Sequence, residues 1–258
     1  MNKTFKHSGT LGDIVYGLAL MKHFGGGEFY LHLGQVDWIG QHYYGNAPDP
    51  FHKGRMTQGD FDFMREFMEA QDYITKFDIM NEAETAITHN LDRFRTLFVG
   101  HPANYVTTYC MAFGITDPAT QIAVSDGPWL SVPSPKPIPG KPYVVNRTPR
   151  GFTAPGCNET WTSWRNEGVD TQSVFVGLPK EYEEFKQLTG WNIDFHPTKN
   201  MLELAEVIAG CEQFMGNQSV ALSIAQGLRV PYAFEARRDL PMERNESYFP
   251  NHDNGDQF

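Results

Sequence analysis

Along this chain the spacing of apolar and polar positions changes repeatedly, and the changes mark strands alternating with helices. Residues 4–7 predict a short strand, and Ser8-Gly9-Thr10-Leu11-Gly12 a turn. Residues 13–24 place Ile14, Leu18 and Met21 at helical spacing. Gly25-Gly26-Gly27 stops that helix, and residues 29–33 (FYLHL) form a second strand. A strand–helix–strand opening of this kind predicts a parallel sheet. Residues 35–58 show no period and predict a long loop, a kind of segment that often carries function. Residues 60–70 predict a helix with Phe61, Met64, Phe67 and Met68 inward, 73–77 a strand, and 102–113 a further helix.

Residues 128–142 contain six prolines, at 128, 133, 135, 137, 139 and 142. Such a run favours extended polyproline geometry and predicts a semi-rigid spacer at a domain boundary. Beyond it the alternation is regular. Strands are expected at 143–145, 173–176, 192–195, 213–215 and 230–234, and helices at 180–188, from Asn200 onward, and at 218–228. Asn200 with Glu203 three positions on has capping-box spacing. This rhythm predicts a second Rossmann-like unit in an α/β chain. The expected organisation is a domain over 1–127, a linker over 128–142, a second domain over 143–236 and a polar tail over 237–258.

Composition narrows the partners. The 258 residues carry 21 Lys and Arg against 31 Asp and Glu, a net charge of −10, which disfavours broad electrostatic binding of nucleic acid. The three cysteines (Cys110, Cys157 and Cys211) form no CxxC pair and read as reduced thiols, so a cytoplasmic setting is expected. The start turns polar too early for a signal peptide, and no apolar run is long enough for a membrane span. Nine histidines give no HExxH or similar spacing, so no metal is expected, and no GxSxG occurs.

Three segments carry candidate chemistry. His7, Ser8, Gly9, Thr10 and Gly12 lie on a loop from a strand's carboxyl end to a helix, the edge where open α/β sheets bind ligands. Asp13 on that helix reads either as a charge favouring the helix dipole or as a general base facing an interdomain cleft. Gly216, Asn217, Gln218 and Ser219 join a strand to a helix N-terminus, which suits a phosphate. Asn217 is equally readable as an N-cap. Arg147 and Arg150 follow a strand and suit an anion, or a structural ion pair. In the long loop Trp38, Tyr43 and Tyr44 suit stacking on a sugar or base, or local packing.

Together the segments HSGTLGDIV (7–15) and NMLELAEVIAGCEQFMGNQSVALSIAQGLRVPYAF (200–234) resemble the GT-B glycosyltransferases. The closest likeness is to the heptosyltransferase-type enzymes of glycosyltransferase family 9 and their compact phage or bacterial relatives. The resemblance implies two Rossmann-like domains facing a cleft, the first on the acceptor side and the second binding a nucleotide sugar. It implies that Asp13 is the base and that Gly216, Asn217, Gln218 and Ser219 lie at the donor diphosphate, with Arg147 or Arg150 stabilising the leaving group. Lys180 and Glu181, after the VFVGLP strand and turn, would lie near the nucleotide, and His7 to Gly12 with Tyr43 and Tyr44 on the acceptor side. The family's usual histidine three residues after Ser219 is Leu222 here, and Asn217 stands where heptosyltransferases often have Asp.

The implied reaction is inverting transfer from a nucleotide sugar, without metal or other cofactor, to a hydroxyl of a saccharide or glycan. Two other readings compete. One is glycosylation of a hydroxymethylated base in DNA, which the acidic balance disfavours. The other is a non-catalytic nucleotide- or sugar-binding module.

Overall fold

The computed structural model describes residues 2–34, 56–97, 104–148, 157–235 and 255–257. Its contacts divide the chain into two units, with the break between Ser131 and Val132. Arg150, Trp38, Tyr43 and Tyr44 lie outside the described residues.

In the first unit, strand β1 (Thr4–His7) leads to helix α1 (Leu11–His23) and strand β2 (Gly27–Leu31). Helix α2 (Gln58–Glu69), strand β3 (Ile74–Ile79) and a two-residue strand β4 (His89–Asn90) follow. A 3-10 turn (Leu91–Thr96) and helices α3 (Tyr105–Ala112) and α4 (Pro118–Asp126) complete the unit. The described strands make a parallel sheet in the order β3-β2-β1-β4.

Helix α1 is buried from Asp13 through Met21, and it packs on α3 and α4. The glycines at its end answer a crowding problem. A Cβ on Gly26 would sit 2.0 Å from the Tyr73 carbonyl oxygen, and one on Gly27 2.2 Å from that of Lys3. Positive φ angles there let the chain turn between two neighbouring backbones. Helix α2 buries Phe61, Met64, Phe67 and Met68 as its period predicts, and Thr57 with Asp60 closes a capping box at its start.

The second unit holds strand β5 (Tyr143–Asn146), helix α5 (Cys157–Asn166), strand β6 (Ser173–Phe175), helix α6 (Pro179–Thr189) and strand β7 (Asp194–Phe195). Helix α7 (Met201–Ala209), strand β8 (Gln213–Gly216), helix α8 (Val220–Leu228) and strands β9 (Tyr232–Phe234) and β10 (Gly255–Gln257) follow. All pairings are parallel, in the order β10-β9-β8-β5-β6-β7. Renumbered within the unit, this is the 3-2-1-4-5-6 order of a dinucleotide-binding Rossmann sheet. The first unit shows the 3-2-1-4 part of the same order.

An aromatic cluster fills one side of the second sheet. The Trp161 ring meets Trp164, Phe185 and Trp191 edge-on, with centroids 4.8, 5.0 and 5.4 Å away. Residues of the proline-rich run are held by hydrogen bonds to the rest of the chain. Trp129 is buried and its indole N–H donates to the Val15 carbonyl at 3.1 Å, while Gln71 and Ser131 exchange two hydrogen bonds. Further on, the Lys136 N–H donates to the Glu206 carbonyl at 2.8 Å, and the two side chains form an ion pair. Proline carbonyls left without ladder partners still accept hydrogen bonds: that of Pro128 takes one from Lys22 Nζ at 2.8 Å.

Candidate functional site

In each sheet the strand order reverses beside the first strand, and such switch points are where open α/β sheets bind ligands. In the first unit the switch point lies between β1 and β4. The loop after β1 and the first turn of α1 carry Ser8 to Asp13, and the turn after β4 carries Asp92 and Arg95.

Asp13 sits in the first turn of α1 with its side chain 10% exposed. The Thr10 hydroxyl donates to its Oδ2 at 3.0 Å, and Arg95 Nη2 forms an ion pair with the same oxygen. Burial alone would lower the Arg95 pKa, but the charge of Asp13, with help from Tyr109, Tyr105 and Asp92, carries it upward. The backbone of Asp13 is held too. Tyr109, from α3, donates its hydroxyl to the Asp13 carbonyl at 2.8 Å.

His7 is fully buried and completes that chain. Its Nδ1 accepts from the Gly9 N–H at 2.7 Å, so its proton sits on Nε2, which donates to the Tyr109 oxygen at 2.6 Å. Burial lowers its pKa, which favours this neutral form. His7 therefore braces α1 through Tyr109. Ser8 is likewise buried, with its N–H and hydroxyl both donating to Asp92. Gly9 is buried as well, whereas Thr10 and Gly12 stay half-exposed at the edge.

Replacing Tyr109 by phenylalanine leaves a buried imidazole N–H and a buried carbonyl without this partner. We expect a loss of about 1–3 kcal/mol in unfolding free energy, read by urea denaturation. A stability equal to wild type would show that the bridge contributes nothing.

In the second unit the switch point lies between β5 and β8, whose register sets Asn146 opposite Gly216. Gly216 has no room for a side chain, since a Cβ would lie 2.4 Å from the Asn146 carbonyl oxygen. Asn146 ties the edge together: its amide donates to the Val176 carbonyl at 2.9 Å, and its Oδ1 accepts from the Ser219 hydroxyl at 2.9 Å. Ser219, not Asn217, is the N-cap of α8, so the helix begins at Val220 and not at 218. The buried Asn217 side chain instead pairs both ways with the Thr148 backbone, at 2.9 and 2.8 Å. The half-exposed Gln218 lies between them. The side chains of Asn217 and Ser219 are thus spent on fixing the turn, and what the turn presents is backbone N–H groups at a helix head.

Of the two readings of Arg147, the structure shows the ion pair. It is 3% exposed, and its Nε and Nη2 donate to the Glu235 carboxylate at 2.5 and 2.9 Å. The Trp161 indole N–H donates to the same carboxylate at 2.6 Å. The charge expected at an anion is neutralised inside the fold. Lys180 is 85% exposed and pairs with Glu184 on the surface of α6. Glu181 accepts the Leu178 N–H at 2.9 Å as a cap of the same helix, and burial raises its pKa.

Sequence reasoning missed Arg95, Asp92, Asn146 and Glu235. The one signal for the first two was topological: the loop after the fourth strand faces the loop after the first. With β4 two residues long, no alternation announced it. Among the described residues no group of three or more His, Cys, Asp or Glu side chains is arranged to hold a metal ion, and no helix is long and apolar enough to cross a membrane.

No family model and no curated protein matches this chain in sequence. Solved structures do match it in shape. The glycosyl transferase family 9 structure from Veillonella parvula DSM 2008 aligns with a TM-score of 0.60 at 10% identity, over 99% of this chain and 84% of that one. The E. coli heptosyltransferase WaaC with ADP-2-deoxy-2-fluoro heptose aligns at 0.51 and 12% identity, over 100% and 93% of the two chains. The fold is GT-B. A second E. coli structure, ADP-heptose lps heptosyltransferase II, aligns at 0.50 and 10% identity, over 100% of this chain and 90% of that one. At such identities the shared property is the architecture itself.

Proposed function

We propose that this protein is a glycosyltransferase that moves a sugar from a nucleotide-sugar donor to a hydroxyl of a saccharide or glycan acceptor. The observation that carries the reading is the second unit's strand order. It sets the Gly216–Ser219 turn and the head of α8 at the switch point of a Rossmann sheet. There the helix N-terminus meets the negative oxygens of a diphosphate with N–H groups and a partial positive charge. The same interactions grow stronger as charge gathers on the leaving diphosphate. That WaaC, of like fold, was solved with ADP-2-deoxy-2-fluoro heptose supports a nucleotide-sugar donor.

On the first unit, Asp13 is the acceptor-side base in this reading. It takes the proton of the acceptor hydroxyl as that oxygen attacks the anomeric carbon. The bond to the diphosphate breaks on the opposite face, so the configuration inverts. In this mechanism α8 supplies the leaving-group stabilisation without a metal.

A thermal-shift panel of UDP, GDP, ADP, CMP and dTDP sugars tests the donor site. A ligand bound only by the native state stabilises by about 2.7 kcal/mol at a hundredfold excess over its Kd, and at least one sugar nucleotide is expected to raise the midpoint. No shift at millimolar concentration with any of them would overturn the reading. A shift without release of nucleoside diphosphate would mark a binding module instead of a transferase.

A further inference from the structure

A base that works from a nearly buried position needs its charge compensated and its oxygens aimed. Asp13 and Arg95 are 10% and 12% exposed in their side chains and stand 82 residues apart in sequence. The β1-β4 pairing brings their segments side by side. The Arg95 guanidinium lies over the Phe94 ring, 4.9 Å from its centroid, and Phe94 stacks on Tyr109 at 4.2 Å. Tyr109 is the residue that holds the Asp13 carbonyl. One aromatic stack therefore supports both the guanidinium on the carboxylate and the hydroxyl on the backbone.

We propose that Arg95 is a positioning residue for Asp13, holding its carboxylate ionised and oriented for proton abstraction. The proposal rests on the reading of Asp13 as the base. Among the described residues, the charged and titratable groups around Asp13 include Arg95 and Asp92 on the turn after β4, His7 at the end of β1, and Tyr105 and Tyr109 on α3. Burial keeps His7 neutral by lowering its pKa and Tyr109 neutral by raising its own. Asp92 carries the same sign as Asp13 and opposes its charge. Arg95 is the cation paired with the Asp13 carboxylate, so removing it disfavours the ionised form. Asp13 then keeps its proton to higher pH, and the acid limb of the rate profile moves upward.

The test titrates side-chain carboxyl groups by carbon-13 NMR in the full-length protein, with the Asp13 resonance assigned by its loss in Asp13→Asn. The midpoint is expected to rise by about one pH unit or more in Arg95→Met, and to stay near wild type in Arg95→Lys, which keeps the charge. The acid limb for nucleoside diphosphate release should move in parallel. That release is followed with whichever of UDP-glucose, GDP-mannose or ADP-heptose gives the largest thermal shift. An unchanged midpoint in Arg95→Met overturns the proposal. If Arg95→Met does not fold, Arg95→Gln is read in the same way, and failure of both makes Arg95 a fold-supporting residue and also overturns it. The two ideas fail separately. Asp13→Asn with wild-type release removes the base, whereas a dead Asp13→Asn with an unshifted Arg95→Met midpoint removes only the positioning role.

Discussion

Replacing Asp13 by asparagine is expected to lower transfer by about 10²–10⁴-fold, the usual contribution of a positioned general base. Asparagine keeps the size of the side chain and an oxygen able to accept from Thr10, but it cannot take a proton. The loss should therefore fall on kcat. The donor-induced thermal shift should survive, because the Gly216–Ser219 turn is built from a different unit of the chain. The substitution also removes the carboxylate that compensates Arg95, so part of the stability of α1 goes with it. The unliganded melting midpoint of Asp13→Asn controls for this, and Asp13→Glu, which retains the charge, should hold stability better than activity. Turnover by Asp13→Asn at the wild-type rate would mean that another group is the base.

The parts of this picture that could be read in the sequence are those made by neighbours along the chain. Residues 213–215 are a short run before a glycine and a cap; with Gly216 they form β8, and the residues up to Ser219 make the turn at the head of α8. Asn200 caps α7 by accepting the Glu203 N–H at 2.9 Å, as the spacing predicts. The return arm differs, since Glu203 accepts from the Lys199 N–H and not from Asn200. Helices α4 and α5 were not anticipated, and α5 buries Trp161 and Trp164 three positions apart within an otherwise polar segment. What escaped the sequence most completely were pairings across long separations. Asp13 with Arg95 spans 82 residues, and Arg147 with Glu235 spans 88. Each joins the segment after the first strand of a sheet to a segment after a later strand. The sheet order that creates the pair becomes visible only once the strands are assembled. An arginine after a strand looks the same in sequence whether it meets a phosphate or a glutamate.

That difference can be measured at Arg147. If its guanidinium is the internal partner of Glu235, Arg147→Met leaves a carboxylate buried with the Trp161 indole as its remaining donor of the three described. Breaking one side of such a pair costs about 3–5 kcal/mol. For a unit of this size that is roughly 10 °C or more in melting midpoint, with no ligand present. The double substitution Arg147→Met with Glu235→Leu removes both charges and should recover much of the loss. The resulting coupling energy isolates the pair from the packing of either side chain. Donor affinity should fall in the single variant, because Arg147 adjoins Thr148, whose backbone is locked to Asn217 in the proposed diphosphate turn. A phosphate-binding arginine predicts the reverse pattern. The unliganded midpoint would then hardly move, donor affinity would fall in the single and double variants alike, and removing Glu235 would restore nothing. Glu235 at 6% exposure and Arg147 at 3% lie too deep for that second pattern, so the internal pair is the outcome we expect.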